Sequence, residues 1–124
     1  MIFVFGSNLA GRHGAGAARV AVSKHGACYG VGVGLQGNSY AIPTKFHDLT
    51  TMPLTRIKAY VNGFLQVASA SMLDFHVTRI GCGLAGYRDE DIAPLFNGAT
   101  SNCYFDEKWI PYLDVNEAKT WGTF

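Results

Sequence analysis

Short apolar runs in the first third of the chain predict two buried strands. Residues 2–5 form a continuous apolar run stopped by residues 6–8, which is typical of a strand covered on both faces at the centre of a sheet. Residues 39–42 form a second run, and we expect Pro43 to end that strand because proline lacks a backbone N–H.

Two helices are expected between these strands and the middle of the chain. Residues from 14 or 15 onward are mostly small and apolar, and predict a helix that ends before Gly26 with residues 25 and 26 as its C-cap. From residue 54 to about residue 71, apolar positions recur at helical spacing. Pro53 suits the first turn of this helix, and Thr50 or Thr51 is its expected cap.

The second half of the chain repeats the order strand, glycine loop, helix. Residues 75–80 predict a strand that runs into a long loop, residues 81–89. Because Pro94 cannot lie deep in a helix, the next helix is expected to begin near residue 90 or 91. Residues 102–105 predict a last strand, and the tail, residues 106–124, shows no clear period, so that only packing of its aromatic side chains on the domain is expected.

This alternation of strands and helices predicts a three-layer α/β domain. Such sheets bind ligands at the carboxyl ends of their strands, and both glycine loops follow strands. Nine of the 15 glycines lie in residues 1–37, interleaved with Ala, Val and Leu. That composition indicates close backbone packing or close approach to a ligand, rather than a flexible linker.

Length and charge limit the class of protein. A chain of 124 residues with 48% hydrophobic content fits one domain, residues 1–124, with the tail packed on it. A formal net charge of +1 gives no long-range field to attract nucleic acid or an acidic membrane. No run reaches membrane-spanning length, and residues 1–5 are too short for a signal peptide core. Three cysteines without ligand spacing argue against disulfides and structural zinc. We therefore expect a cytoplasmic protein without a membrane partner or strong nucleic-acid binding.

The first glycine loop is a candidate phosphate site. Gly14, Ala15 and Gly16 stand at the start of a helix, where free N–H groups and the helix dipole attract anions. A tight turn without a ligand is the alternative. His13 interrupts the loop and is either a contact to a phosphate or ribose hydroxyl, or a solvated residue. Asn8 is either a ligand contact or a turn residue bonded to its own backbone.

The second glycine loop is a candidate diphosphate cradle made of backbone amides, with an ordinary connection as the alternative. Its candidate ligand-binding residues are Gly81, Cys82, Gly83, Leu84, Ala85, Gly86 and Tyr87. The Tyr87 ring is suited to lie against a ribose or base, while Cys82 fits a small buried residue better than a nucleophile. The four histidines are scattered singly, so we expect neither a metal site nor a cofactor.

Beyond these patterns, the chain resembles the macrodomain family, which binds ADP-ribose. The resemblance covers about residues 1–105 and is strongest to the branch of the terminal ADP-ribose protein glycohydrolase and to small phage macrodomain-like proteins. It rests on Asn8 and on residues 13–18, 37–45 and 79–84, in the order and spacing of the family.

The resemblance implies a three-layer α/β/α sandwich with a central mixed sheet and a cleft for ADP-ribose between the two glycine loops. In the glycohydrolase branch, a lysine at the position of Lys45 and an aspartate directly after the Gly-Cys-Gly-Leu segment carry the reaction. Lys45 is thus the candidate catalytic residue, but Ala85 replaces the aspartate. Asp89, Glu90 or Asp91 can substitute only if the loop folds back, and the aspartate that contacts adenine in many macrodomains has no evident counterpart.

Three functions remain open at this stage. One is binding of ADP-ribose or an ADP-ribose-derived nucleotide with weak removal of ADP-ribose from a modified macromolecule. Another is a non-catalytic sponge that sequesters a cyclic or modified ADP-ribose immune signal, which the missing carboxylate favours. The third is an interaction domain whose glycine loops are only turns and which has no nucleotide ligand.

Overall fold

The computed structural model describes residues 1–114 and 118–124, which form one six-stranded sheet with helices around it. The strands are β1 (Ile2–Asn8), β2 (Gly34–Gln36), β3 (Ser39–Lys45), β4 (Phe75–Val77), β5 (Cys103–Asp106) and β6 (Lys119–Gly122). The α-helices are α1 (Gly16–Lys24), α2 (Leu54–Ser69) and α3 (Asp89–Ile92), and two 3₁₀ helices span Ala93–Phe96 and Glu107–Tyr112. The strand order is β2-β3-β1-β4-β5-β6. The sheet is mixed, because β2 runs antiparallel to β3 whereas the other neighbours are parallel.

Alternating side chains of β1 supply both hydrophobic cores. Ile2 and Val4 pack with the apolar face of α2, whereas Phe3 and Phe5 pack with α1 on the opposite side of the sheet. Successive side chains of a strand point to opposite faces, so a continuous apolar run is buried on both. The predicted three-layer α/β fold with a central mixed sheet is confirmed, and β1 is a central strand between β3 and β4.

The two long helices begin and end close to the predicted positions, but their caps differ from expectation. In α2, the buried positions are Ile57, Val61, Phe64 and Ala68, at the spacing that the sequence indicated. The prediction that Thr50 or Thr51 caps this helix is wrong, since Pro53 is its N-cap residue. At the C-terminal end of α1, the prediction of residues 25 and 26 as the C-cap region is confirmed by the positive φ of Gly26.

Two strands continue past the residues that were expected to stop them. β1 extends through residues 6–8, because Gly6 and Ser7 pair with Ile42 and Pro43 of β3. The prediction that Pro43 ends β3 is therefore wrong. β2 pairs with β3 from Ser39 to Ala41, so Pro43 lies beyond that pairing, where a missing N–H removes no ladder bond to β2.

The second half of the chain also departs from expectation. β4 ends at Val77, and the next residue, Thr78, donates both its amide and its hydroxyl to the Val4 carbonyl. The helix expected near residue 90 begins at Asp89 and continues from Ala93 as a 3₁₀ helix with Pro94 in its first turn. The tail contains a 3₁₀ helix and β6, neither of which was predicted, and β6 pairs with β5.

Many of the early glycines hold two backbone segments together. A side chain on Gly11, which has φ +69°, would come within 3.0 Å of the Gly30 backbone, and one on Gly32 would meet the Asn8 carbonyl. A side chain on Gly37 would clash in the same way with Gly26. We call these contacts the glycine interlock. The first two contacts fix the loop after β1 against the segment that precedes β2, and the third fixes the segment after α1 against the turn between β2 and β3. Together they explain part of the glycine density.

No helix within residues 1–114 and 118–124 combines the length and the apolar character needed to cross a bilayer.

Candidate functional site

A cavity of about 560 Å³ opens at the carboxyl ends of the parallel strands. Its walls come from the ends of β1 and β3, the loops after β1 and β4, the first turn of α1, the end of β5, and Phe124, which follows β6. β3 lies beside β1 on one side and β4 lies beside it on the other, so the order of the parallel strands reverses at β1. The cavity therefore lies at a topological switch point. This is the usual ligand position in open α/β sheets, and the volume is typical of small-molecule sites.

The first glycine loop brings the start of α1 to the cavity. Gly14, Ala15 and Gly16 all line it, together with Ala17 and Ala18. Ala15, the N-cap residue, has no polar side chain to accept a hydrogen bond, and the first helical bond runs from the Arg19 amide to the Ala15 carbonyl. The amides of residues 16–18 therefore precede the helical ladder, at the positive end of the dipole.

Asn8 lines the cavity, but its side chain belongs to a turn. Its Oδ1 accepts from the Arg12 amide at 3.0 Å, and its Nδ2 donates to the Arg12 carbonyl at 3.1 Å. This arrangement matches the turn alternative and places Arg12, which was not among the candidate residues, on the cavity wall.

His13 lies outside the cavity and is almost fully buried. Its Nε2 is 2.8 Å from the Val31 carbonyl, and its ring packs edge-on against Phe5 at 5.2 Å between centroids. Burial overturns the expectation of a solvated loop residue, and the position does not bring His13 to the cavity wall, where a ligand contact was expected. A hydrogen bond across the glycine interlock fixes the ring inward, a contact between distant residues that loop composition does not reveal.

The second glycine loop lies opposite the first, and its residues Gly81, Cys82, Gly83, Leu84 and Ala85 line the cavity. Gly86 and Tyr87 do not. The Tyr87 hydroxyl donates to the Met52 carbonyl at 2.6 Å, and the Tyr87 ring packs on the core that α2 covers. The chain turns back at Gly86 and sends Tyr87 inward, away from the position expected for a contact with a ribose or base.

Cys82 is half-buried and stays a thiol at neutral pH. Burial, with a smaller contribution from a hydrogen bond to Asp89, raises its pKa to about 12. A thiol is a poor nucleophile until it ionises, so this environment supports the prediction of a structural cysteine.

The acidic residues that follow the loop turn away from the cavity. Asp89 accepts from Arg79 Nε at 2.7 Å, from Arg79 Nη2 at 2.8 Å and from Trp109 Nε1 at 2.9 Å. Glu90 pairs with the Arg88 guanidinium, and Asp91 accepts from the Arg88 amide. The loop thus does not fold back to place any of the three beside Lys45.

Lys45 lines the cavity at the end of β3. In residues 1–114 and 118–124, no carboxylate oxygen lies within 4.0 Å of its ammonium group. Thr51 forms a bridge with Lys45 and donates its hydroxyl to the Ala85 carbonyl at 3.2 Å. Thr51 therefore links the second loop at Ala85 to the strand end that carries Lys45, but Ala85 supplies no acid.

Asp106 and Phe124 also line the cavity, and neither was predicted. Asp106 is fully buried, and its Oδ2 accepts from the Phe124 amide at 3.0 Å and from the Thr123 hydroxyl at 3.1 Å. Its Oδ1 accepts from the Lys108 amide. The position of Asp106 directly after the predicted strand, residues 102–105, was a sequence signal for this residue. No sequence signal indicated the pairing of β6 with β5, which brings Phe124 close to Asp106.

Comparison with known proteins identifies no relative: no protein-family model, curated protein or solved structure matches the chain.

Proposed function

We propose that this protein binds ADP-ribose or an ADP-ribose-derived nucleotide in the cavity between the two glycine loops. The observation that carries the proposal is the first turn of α1, which lines the cavity and whose N-cap residue, Ala15, supplies no side-chain acceptor to its amides. Amides at the start of a helix bind phosphate well. The second loop supplies a facing backbone, as a diphosphate requires.

The charges on the cavity wall support an anionic ligand. Arg12 and Lys45 line the cavity, and no carboxylate in the described part of the chain forms an ion pair with either. Arg79 also lines it but is neutralised by Asp89, and Asp106 is occupied by three hydrogen bonds. Two cations are thus available to phosphate oxygens, and charge-assisted bonds of this kind are the stronger ones.

Open space beside two glycines supports close approach of a ligand to the backbone. A side chain on Gly14 or Gly83 would meet nothing within 4 Å, and neither residue has a positive φ. The folded chain therefore does not need glycine at these positions for steric reasons. A phosphate that approaches the backbone supplies the reason.

The second candidate, a non-catalytic sponge for a cyclic or modified ADP-ribose signal, is favoured over hydrolysis by the surroundings of Lys45. In the glycohydrolase branch that the chain resembles, the acid stands at the position of Ala85, and the nearest acids along the loop here are held by Arg79 and Arg88. We therefore expect measurable binding with slow or absent release of ADP-ribose from a modified macromolecule. The proposed compartment is the cytoplasm, where the free thiols of Cys28, Cys82 and Cys103 stay reduced.

Calorimetric titration with ADP-ribose and its cyclic isomers tests the proposal, followed by chromatography of the recovered ligand for turnover. Saturable binding of an intact ligand supports the sponge, whereas binding with product release supports an enzyme. Absence of heat with every nucleotide, at protein concentrations that detect millimolar affinity, would contradict the proposal and leave the interaction domain.

A further inference from the structure

Leu49 is held in a backbone conformation that leucine normally avoids. Within residues 1–114 and 118–124, it is the only residue other than glycine with a positive φ, at +68°. It is the last residue of a three-residue hairpin loop after β3. In this loop the Phe46 amide donates to the Thr50 carbonyl at 2.9 Å, and the Leu49 amide donates to the Phe46 carbonyl at 3.0 Å. Glycine is the usual residue at that position, because a side chain there is strained.

The fold itself does not account for leucine at this position. Leu49 belongs to neither hydrophobic core, and 38% of the residue is exposed. The hairpin has other supports, since the Asp48 carboxylate accepts from the Thr50 amide and hydroxyl, and the Arg56 guanidinium lies over the Phe46 ring. Strained residues of this kind cluster at ligand sites, where the side chain serves the ligand.

Leu49 lines the cavity and lies on the same hairpin as Lys45. A bridge between Lys45 and Thr51 closes the base of this hairpin, and the Thr51 hydroxyl ties it to the second glycine loop at Ala85. One short segment thus brings an ammonium group and an apolar side chain to the cavity wall, a combination typical of small-molecule sites. The combination suits a sugar ring, because its hydroxyls can accept from the ammonium group and its carbon face can pack on leucine.

We infer that Leu49 is a specificity-determining residue that packs on the carbon face of the terminal sugar of the nucleotide. The inference rests on the proposed function and adds which part of the ligand the hairpin after β3 recognises. The terminal sugar carries no base, so that it has more free hydroxyls and a more accessible carbon face than the sugar of the adenosine. The strain at Leu49 persists because this contact requires a side chain there.

Paired substitutions in the full chain separate the strain of Leu49 from its contact with the ligand. Leu49→Gly and Leu49→Ala both remove the side chain, but only glycine relieves the positive φ. Leu49→Met keeps an apolar side chain of similar volume. Leu73→Gly and Leu73→Ala are the matched controls, because Leu73 is exposed, lies outside the cavity and has no positive φ. Each protein is titrated with ADP-ribose and with ADP, which lacks the terminal sugar, and its melting curve is recorded.

We expect Leu49→Gly to melt about 2–8 °C above Leu49→Ala, because glycine tolerates the left-handed region. Leu73→Gly should melt below Leu73→Ala, since glycine elsewhere gives the unfolded chain more freedom. Leu49→Gly and Leu49→Ala should each weaken ADP-ribose binding about 3- to 7-fold, because the 38% of the leucine that is exposed can no longer be buried by the ligand. Leu49→Met should retain the affinity, and any binding of ADP should be the same in every variant.

The other outcomes overturn the inference in distinguishable ways. If Leu49→Ala and the wild-type protein bind ADP-ribose equally, Leu49 does not contact the ligand and the proposed function stands. A parallel loss of ADP binding refutes the assignment to the terminal sugar. If Leu49→Gly melts below Leu49→Ala, the positive φ imposes no strain and the inference fails. If the wild-type protein binds neither probe, the proposed function fails together with the inference.

Discussion

Replacing Gly14 by valine separates a ligand role of the first loop from a folding role. The added side chain would enter open space on the cavity wall, and the backbone of Gly14 lies outside the left-handed region. Stability should therefore be retained, since the substitution also restricts the unfolded chain. ADP-ribose binding should weaken, because the branched side chain occupies the path of a phosphate to the amides of α1.

The size of the effect follows from the bonds at risk. A hydrogen bond between an amide and a charged phosphate contributes about 1.5–3 kcal/mol, and 1.4 kcal/mol corresponds to a factor of ten. Loss of one such bond lowers affinity about 10- to 140-fold. Calorimetry gives the affinity, and a melting curve gives the stability of the same sample.

Gly11→Ala is the matched control from the same loop. Its side chain would clash with the Gly30 backbone, and a left-handed φ of +69° costs a non-glycine residue about 1–2 kcal/mol before the clash is counted. We expect its melting temperature to fall by at least about 4 °C. If Gly14→Val melts and binds like the wild-type protein, no phosphate approaches the loop at that point, and the reasoning is refuted.

Three further predictions concern the rest of the cavity. In the second loop, Gly83→Val should weaken nucleotide binding more than Cys82→Ser does, measured by calorimetry; loss of activity with unchanged affinity in Cys82→Ser would instead indicate a nucleophile. Lys45→Ala should weaken binding by about 1.5–3 kcal/mol, and no turnover should be lost because little or none is expected in the native protein. Ala85→Asp should raise hydrolysis in a release assay. Rapid Lys45-dependent release by the native protein would contradict this reasoning. Hydrogen bonds from Arg79 lower the pKa of Asp89. The contribution of Asp89 to stability is therefore present above its unfolded pKa of about 3.9 and is lost as the pH falls through the lower folded value. Asp89→Asn should lower the melting temperature at pH 7 and flatten the decline of the melting temperature in acid, and an unchanged acid profile would refute the stabilising role of Asp89.

Much of the fold was predictable because local pattern and tertiary structure agree. The period of α2 and the apolar run of β1 correctly indicated a helix packed on a central strand. β2 was missed, since Gly34–Gln36 is only three residues long and borders the glycine interlock. β6 was missed because its sequence shows no strand pattern, and the strand depends on hydrogen bonds with β5.

The backbone positions of the candidate site were predictable from the sequence, but the directions of its side chains were not. Gly14 and Gly83 were found as loop glycines, and both line the cavity. His13 and Tyr87 stand in the same loops but point inward, each fixed by a bond to a carbonyl more than 15 residues away in the sequence. Such long-range bonds leave no mark on spacing or composition.

The glycine interlock also bears on how the evolutionary record of this fold should be interpreted. Gly11, Gly32 and Gly37 face backbone at distances that no side chain tolerates, so selection for folding alone preserves them. If the proposed ligand is what requires Gly14 and Gly83, a descendant that no longer binds it would retain these three glycines, while Gly14 and Gly83, which face open space, would be free to drift. Among related sequences, it is therefore the fate of Gly14 and Gly83 that reports on ligand binding, and an invariant Gly11 reports only that the chain still folds.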